Sequence, residues 1–350
     1  MTYDIRVLRL DEKDILVEFL KSCWKKDHIF VQDTNMLDFQ HKALDHYSFV
    51  GAIERATSEL HGVLGFISPS FYSQRKFSNQ DDIWLAIWKV DKSKAKNASI
   101  GMKLHDYLSQ NLKPKSISGI GINDAALGVY KLLGYKIGTL NHVYMLNDNL
   151  NKFKVAQINN NCFSKTAMDT DINYSSVLRR INWTDEDIDQ AIFNVSSPDK
   201  NFEYVKNRFA NHPYYSYELM ALEEMINSER HVKSYLVSRA VSVNDSHIYR
   251  IVDVFGKENI SLSDRIAFRE FLTHTQFEYI DLVADIVSSE YFINAGFKEC
   301  TKEAYVPHLF EPYEQSKNSV KYAVLGSSYL SIFKGDSDLD RPSFAKIKGS

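Results

Sequence analysis

Apolar and polar residues alternate over residues 3–10, the mark of a strand with one covered face. Residues 12–24 then place Ile15, Leu16, Phe19, Leu20 and Cys23 at helical spacing. Ser48–Ala56 and His61–Ser68 read as two strands joined by the polar Thr57-Ser58-Glu59, a hairpin pattern. Asp82–Val90 is apolar on both faces, which predicts a strand buried inside a sheet. After a polar loop at 91–98, Ile100, Leu104 and Leu108 line one side of a helix. A strand at 117–122, a helix at 124–133 and a strand at 136–146 complete a first unit, residues 1–147. Strands and helices interleave throughout, so the fold class is α/β with a mixed sheet.

Residues 148–175 are rich in Asn and weakly patterned, which predicts a linker. The order of elements then repeats over 176–350. Trp183–Val195 reads as a helix, and Tyr217–Leu222, Val232–Val241 and Ile248–Val254 as strands. Leu262–Leu272 reads as a helix, Phe277–Val283 as a strand and Glu290–Ala295 as a short helix. The repeat also shows in residues. Tyr130-x-x-x-Gly134-Tyr135-Lys136 in the first unit matches Phe292-x-x-x-Gly296-Phe297-Lys298 in the second, at the same place in the order. A duplicated unit is the expectation.

Hydrophobic residues make up 44% of the 350 and charged residues 25%, the balance of an ordinary globular chain rather than a disordered one. Forty-two basic residues against 45 acidic leave a net charge of −3, which argues against a surface built to coat nucleic acid. Cys23, Cys162 and Cys300 lie far apart, with neither disulfide nor zinc spacing, so a reducing compartment and no metal are expected. No apolar run nears the ~18 residues that cross a bilayer, and the first residues lack the pattern of a signal peptide. The expectation is a cytoplasmic protein that binds no membrane, as a monomer or homodimer.

Chemistry enters around residues 90–135. Val90, the polar loop and Lys96-Asn97-Ala98-Ser99-Ile100-Gly101 resemble the acyl-CoA loop of the GNAT superfamily of N-acyltransferases, Arg/Gln-x-x-Gly-x-Gly/Ala. Lys96 stands for the Arg/Gln and Ser99 for the first Gly. Asn123-x-x-Ala126-x-x-x-Tyr130-x-x-x-Gly134-Tyr135 resembles the segment that follows in that superfamily. The physics of the loop agrees: backbone N–H groups at a helix start favour a pyrophosphate, and small residues let it approach. The resemblance implies tandem GNAT folds, the C-terminal one degenerate, because Phe292 stands where Tyr130 does and no Gly-x-Gly follows Val254. It also implies acyl-CoA as co-substrate, with Ile87, Trp88 and Val90 pairing the pantetheine arm through their backbone and Asn123 near its amides. Attack of an amine on a thioester leaves a thiolate, to which a nearby phenol can return a proton; the resemblance gives that role to Tyr130. For the base, His142, on the strand after the Tyr130 helix, and His28, before the second helix, are candidates, with a water relay as the alternative.

Arg208-Phe-Ala-Asn-His212-Pro-Tyr214-Tyr215 gathers a cation, a histidine and aromatic rings in one loop of the second unit. With Lys334, Asp336 and Arg341 it is the candidate site for a nucleotide diphosphate, a solvated loop and tail being the alternative. Asp336-Ser-Asp338-Leu-Asp340 begins like a calcium loop, but Arg341 replaces its Gly and Ile347 its Glu, so no calcium is expected. The tandem layout and the Lys-Gly-Asp-x-Asp-x-Asp-Arg-Pro tail resemble the sugar N-acyltransferases of bacterial surface-polysaccharide (O-antigen) pathways. That implies transfer of an acetyl or 3-hydroxybutanoyl group to a nucleotide-sugar acceptor, a dTDP-linked 3-amino-3,6-dideoxyhexose. Two other classes stay open: a Fem-like aminoacyl transferase acting on a cell-wall precursor, and a non-catalytic GNAT-fold binding protein.

Overall fold

A computed structural model describes residues 2–95, 99–159, 176–195, 198–316, 319–326 and 330–344. The first half contains β1 (Tyr3–Arg9), α1 (Lys13–Cys23), α2 (Thr34–His41), β2 (His46–Glu54), β3 (Leu60–Ile67) and β4 (Asp82–Val90). It continues with α3 (Ile100–Tyr107), β5 (Ser116–Ile120), α4 (Asp124–Leu132), β6 (Lys136–Thr139) and β7 (Asn141–Leu146). The second half contains β8 (Ser176–Ile181), β9 (Glu218–Ile226), β10 (Glu229–Val243) and β11 (Ser246–Phe255). It ends with α5 (Arg265–Thr275), β12 (Tyr279–Ala284), α6 (Ile286–Asn294), β13 (Lys298–Glu299) and β14 (Lys321–Gly326).

Two seven-stranded mixed sheets result, in the orders β1-β2-β3-β4-β5-β14-β6 and β13-β7-β12-β11-β10-β9-β8. Each has five strands in chain order, a sixth at the far edge, and between them a strand from the other half. β14 pairs antiparallel with β5 and β6, and β7 pairs antiparallel with β12 and β13. The single strand expected over 136–146 is therefore two. Leu140 turns the chain between the sheets, its N–H donating to the Val320 carbonyl (2.8 Å) and its side chain buried among Trp84, Ile120, Val283 and Ile332. The chain boundary expected at 147 falls just after that exchange. Residues 147–156 lie against the second sheet: the Asn147 amide donates to the Leu272 and Phe277 carbonyls, and the N–H groups of Lys154–Ala156 donate to the Glu278 carboxylate.

Helices cover the first sheet on both faces. Leu16, Phe19 and Leu37 of α1 and α2 pack with Phe49 and Val63, while Leu104 of α3 and Tyr130 of α4 pack with Leu64 and Ile117 on the opposite face. The helix expected over Trp183–Val195 is only a 3-10 segment at Gln190–Val195. Asn182 and Asp185 take backbone N–H groups of that stretch onto their side chains (Thr184 N–H to Asn182, 3.3 Å; Asn182 N–H to Asp185, 3.0 Å), an alternative to helical bonding. The residue-level repeat has closely similar geometry in both halves. Asn123 and Asp285 cap their helices at 2.9 Å, and Gly134 and Gly296 end them at φ +83° and +92°. Tyr130 meets Tyr135 edge-on at 5.0 Å as Phe292 meets Phe297 at 5.2 Å. Among the described residues no helix is long and apolar enough to cross a membrane.

Candidate active site

β4 and β5 run parallel but pair only from Asp82–Ser116 to Leu85–Gly119. Further along, β4 continues against β3 alone, as far as Val90–Gly62. The strands fork there, and the outer backbone edge of residues 86–90 pairs with no other described strand. A cavity of about 500 Å³ opens at the fork, its wall including Trp88, Val90, Gly101, Gly119, Asn123 and Tyr130. Five of the residues expected to touch the cofactor are thus brought together from β4, α3 and α4. Ile87 and Ile100 turn buried side chains into the two cores, so only their backbone is available. Ser99 is the N-cap of α3, its carbonyl accepting from Lys103 N–H (3.0 Å). Lys96, Asn97 and Ala98 lie outside the described residues.

The Tyr130 hydroxyl sits at the apex of the fork. A Cβ on Gly119, the last residue of β5 that pairs with β4, would come within 3.2 Å of it, so glycine there makes room for the phenol. Burial raises the Tyr130 pKa to about 12, which keeps the hydroxyl protonated at neutral pH. Three rings hold it. Trp88 meets it edge-on at 6.1 Å and stacks on His105 (5.7 Å, 19°), and His105 Nε2 lies 2.7 Å from the Tyr135 hydroxyl. Burial lowers the His105 pKa and so favours the neutral ring. His105 was not among the residues expected here; its signal is the i, i+4 spacing from Gly101, which puts both on one face of α3.

The second half has the same fork, and it is filled. β11 and β12 pair in parallel from Tyr249–Ile280 to Ile251–Leu282. The chain's own segment Ile332–Asp336 follows in the gap: Phe333 bridges Ala284, Asp285 N–H donates to the Ile332 carbonyl (2.8 Å), and Gly335 lies against the Val252 carbonyl. Lys200, almost fully buried, holds the plug between Asp253 (2.9 Å) and Asp336.

Neither candidate base reaches the cavity at the fork. His142 is on β7 in the second sheet, its Nε2 2.8 Å from Asp281, which also takes Arg250. His28 is buried, and its Nε2 accepts from the Arg341 guanidinium at 3.0 Å. Burial, with Arg341 beside it, drives the His28 pKa down to about 3. Since a guanidinium can only donate, the acceptor nitrogen is already occupied.

The expected acceptor residues are also redistributed, because the tail is a strap between the two halves rather than a solvated end. Arg208, 7% exposed, lies between the Tyr72 and Tyr204 rings and donates to the carbonyls of Gly335 and Ser337 (2.8 Å to the latter), so its fork is not open to a diphosphate. Asp336 is held by Lys200. His212 accepts the N–H groups of Tyr214 and Tyr215, and the Tyr214 hydroxyl donates to Asp33. Arg208 and His212 line a cavity of only about 10 Å³, the size of one water. Tyr215, Lys334 and Arg341 do line a larger one, of about 160 Å³, together with Arg239, Arg250 and His308, which were not foreseen.

No protein-family model matches the sequence, and no curated protein does either. Solved structures do match. A GCN5-related N-acetyltransferase from Anabaena variabilis aligns over 92% of this chain and 72% of its own, with a TM-score of 0.55 and 10% identity. A conserved protein from Enterococcus faecalis aligns over 81% of this chain and 66% of its own (TM-score 0.53, 9% identity). A GCN5-related glucosamine N-acetyltransferase region of a fungal multi-domain β-N-acetylglucosaminidase aligns over 93% of this chain and 38% of that one (TM-score 0.52, 11% identity). At such identities the likeness is one of fold. The chain has the fold of GCN5-related N-acetyltransferases, built on two mixed sheets.

Proposed function

We propose that the protein is an N-acyltransferase that moves an acyl group from acyl-CoA to an amine, using the fork of the first half. The observation that carries this is a protonated phenol at the apex of an open β4–β5 fork, beside a helix start. The free edge of β4 offers backbone groups to an extended amide chain, and the N–H groups at the start of α3 suit a pyrophosphate. The amine nitrogen forms the new bond to the acyl carbon as the carbon–sulfur bond breaks. Tyr130 donates to the sulfur as negative charge develops there, and the proton lost by the amine leaves through water, since His28 and His142 are engaged elsewhere. The finer reading is acetyl or 3-hydroxybutanoyl transfer to a nucleotide-linked deoxyamino sugar in the cytoplasm; the support for it is the resemblance of the layout and tail. Residues 1–147 supply the acyl site, and 176–350, with the strap, supply the acceptor side.

Release of free thiol across a panel of acyl-CoAs and nucleotide amino sugars tests the activity and both substrates together. For the loop, Ser99→Glu sets a carboxylate at the α3 N-cap, where it repels a pyrophosphate; calorimetry with acetyl-CoA is expected to show binding lost. Unchanged affinity in that variant removes α3 from the site.

A further inference from the structure

The 160 Å³ cavity, walled by the second half and its strap, holds more unused donors than acceptors. Its carboxylates are already committed. Asp340 takes two bonds from Arg239 (2.8 and 3.1 Å) and one from Tyr217 (2.7 Å), Asp338 takes Arg341 (3.1 Å), and Glu311 takes the Tyr215 hydroxyl (2.9 Å). Arg250 is spent on Asp281 and the His308 carbonyl. Among the described residues Lys334, 7% exposed, has only the His308 carbonyl as hydrogen-bond partner, although an ammonium can donate three times. His308, 6% exposed, has neither ring nitrogen paired with a described residue, and Arg341 Nε is unpaired among them as well. Buried polar groups left without partners are costly, and donors in this number call for oxygen acceptors.

The position of the cavity adds to its chemistry. Leu339 lines it and also packs directly on Gly121, where a Cβ would meet the leucine at 3.0 Å; Gly121 in turn lines the acyl cavity at the β4–β5 fork. One side chain therefore belongs to the wall between the two spaces. The volume is close to that of a cavity that holds a benzene ring, enough for a carboxylate or phosphate with the carbon that bears it.

We propose that this cavity binds an oxyanion carried by the acceptor, a carboxylate or a phosphate, through Lys334, Arg341 and the His308 ring, so that the amine is directed past Leu339 to the fork. The word acceptor rests on the acyl-transfer reading; the oxyanion site does not. Lys334 gives the site a signature. Burial, with Arg250 nearby, lowers its pKa to about 7 against the pull of Asp340 and Asp281, with Arg239 on the opposing side and a neutral His308 beside it. An anion seated against it restores the ammonium, so binding at about pH 8 takes up protons.

The test is calorimetric titration of the full chain with sodium phosphate and with sodium acetate at about pH 8, in two buffers of different ionisation heat. Saturable binding with proton uptake is expected, tighter for phosphate if the acceptor is a phosphate ester and tighter for acetate if it is a carboxylic acid. Lys334→Met, which keeps the stem and removes the charge, is expected to weaken that anion at least about 10-fold and to leave acetyl-CoA affinity unchanged. The proton uptake requires no variant, so a poorly folding Lys334→Met does not stop the test. Absence of binding by both anions, binding without proton uptake, equal binding by Lys334→Met, or displacement of phosphate by acetyl-CoA overturns the proposal. Titration with acetyl-CoA alone reads the fork separately: anion binding without acetyl-CoA binding leaves the cavity and removes the acyl-transfer reading.

Discussion

Tyr130 is the residue on which the proposed chemistry turns, and its surroundings separate two roles that its helix would otherwise merge. Its ring packs with Tyr135 and Trp88, while its hydroxyl, over Gly119, makes no hydrogen bond to a described residue. Tyr130→Phe keeps the packing and removes only the donor. Turnover is expected to fall by about 10²–10⁴, with acetyl-CoA affinity held, in single-turnover kinetics where chemistry limits the rate. An unchanged single-turnover rate assigns the proton to water. Lys334 makes a prediction of a different kind. Its pKa is about 7 in the fold and about 10.4 in an unfolded chain. Between those values the unfolded chain holds a proton that the fold excludes. The contribution to stability is thus complete above the unfolded value, shrinks as pH falls, and is lost below about 7. Each pH unit of that window is worth about 1.36 kcal/mol. Urea unfolding at about pH 7 and about pH 9 is expected to show wild type gaining on Lys334→Met as pH rises; parallel changes in the two proteins place the titration elsewhere.

At the scale of elements, the exchange of β7 and β14 decides what counts as a folding unit. Without β14, β5 loses a neighbour and β6 loses its only partner among the described strands, leaving unpaired backbone inside a sheet. A fragment ending at residue 150 is therefore expected to show no cooperative unfolding transition by circular dichroism, whereas the full chain is expected to unfold in one step. A fragment that folds and binds acetyl-CoA shows that β14 is dispensable. The exchange also explains which elements were legible from sequence. The α4 helix, its end at Gly134 and the strand β4 all depend on contacts within a few residues or on a pattern of apolar positions, and the structure places these elements as the pattern says. β14 and the 330–344 strap depend on partners more than 100 residues away. Arg239 binds Asp340, Arg208 binds Ser337 and Lys200 binds Asp336, and nothing local marks those charges as buried pairs. A polar tail with three aspartates reads as solvated until its cations are known. The same long-range placement separates His142 from Tyr130: the two are close in sequence and end on different sheets.

In the whole molecule the two halves share a strand order and differ at the fork. The first fork is open at Tyr130; the second carries Phe292 at the matching position and is closed by Ile332–Asp336, with the Lys200 ion pairs inside it. Space, donor and helix start all favour the first half, so one acyl-CoA per chain is expected. Calorimetry or equilibrium dialysis with acetyl-CoA gives that stoichiometry directly, and a value near two per chain contradicts the plug. The plug itself can be probed at Gly335, whose Cβ position is 2.8 Å from the Val252 carbonyl, a backbone atom that cannot swing aside. Gly335→Val forces the strap out of the second fork, which costs stability and loosens the wall formed by Leu339 and Lys334. Thermal unfolding is expected to move to lower temperature, and acceptor KM to rise, while the stoichiometry of acetyl-CoA stays at one, because the second half still carries Phe292 where the first has Tyr130 and has no match to the loop at 96–101. A second equivalent bound by that variant makes the strap the sole barrier to the second site, and the division of labour between the halves then rests on a few residues of tail rather than on the loss of the acyl-CoA motif.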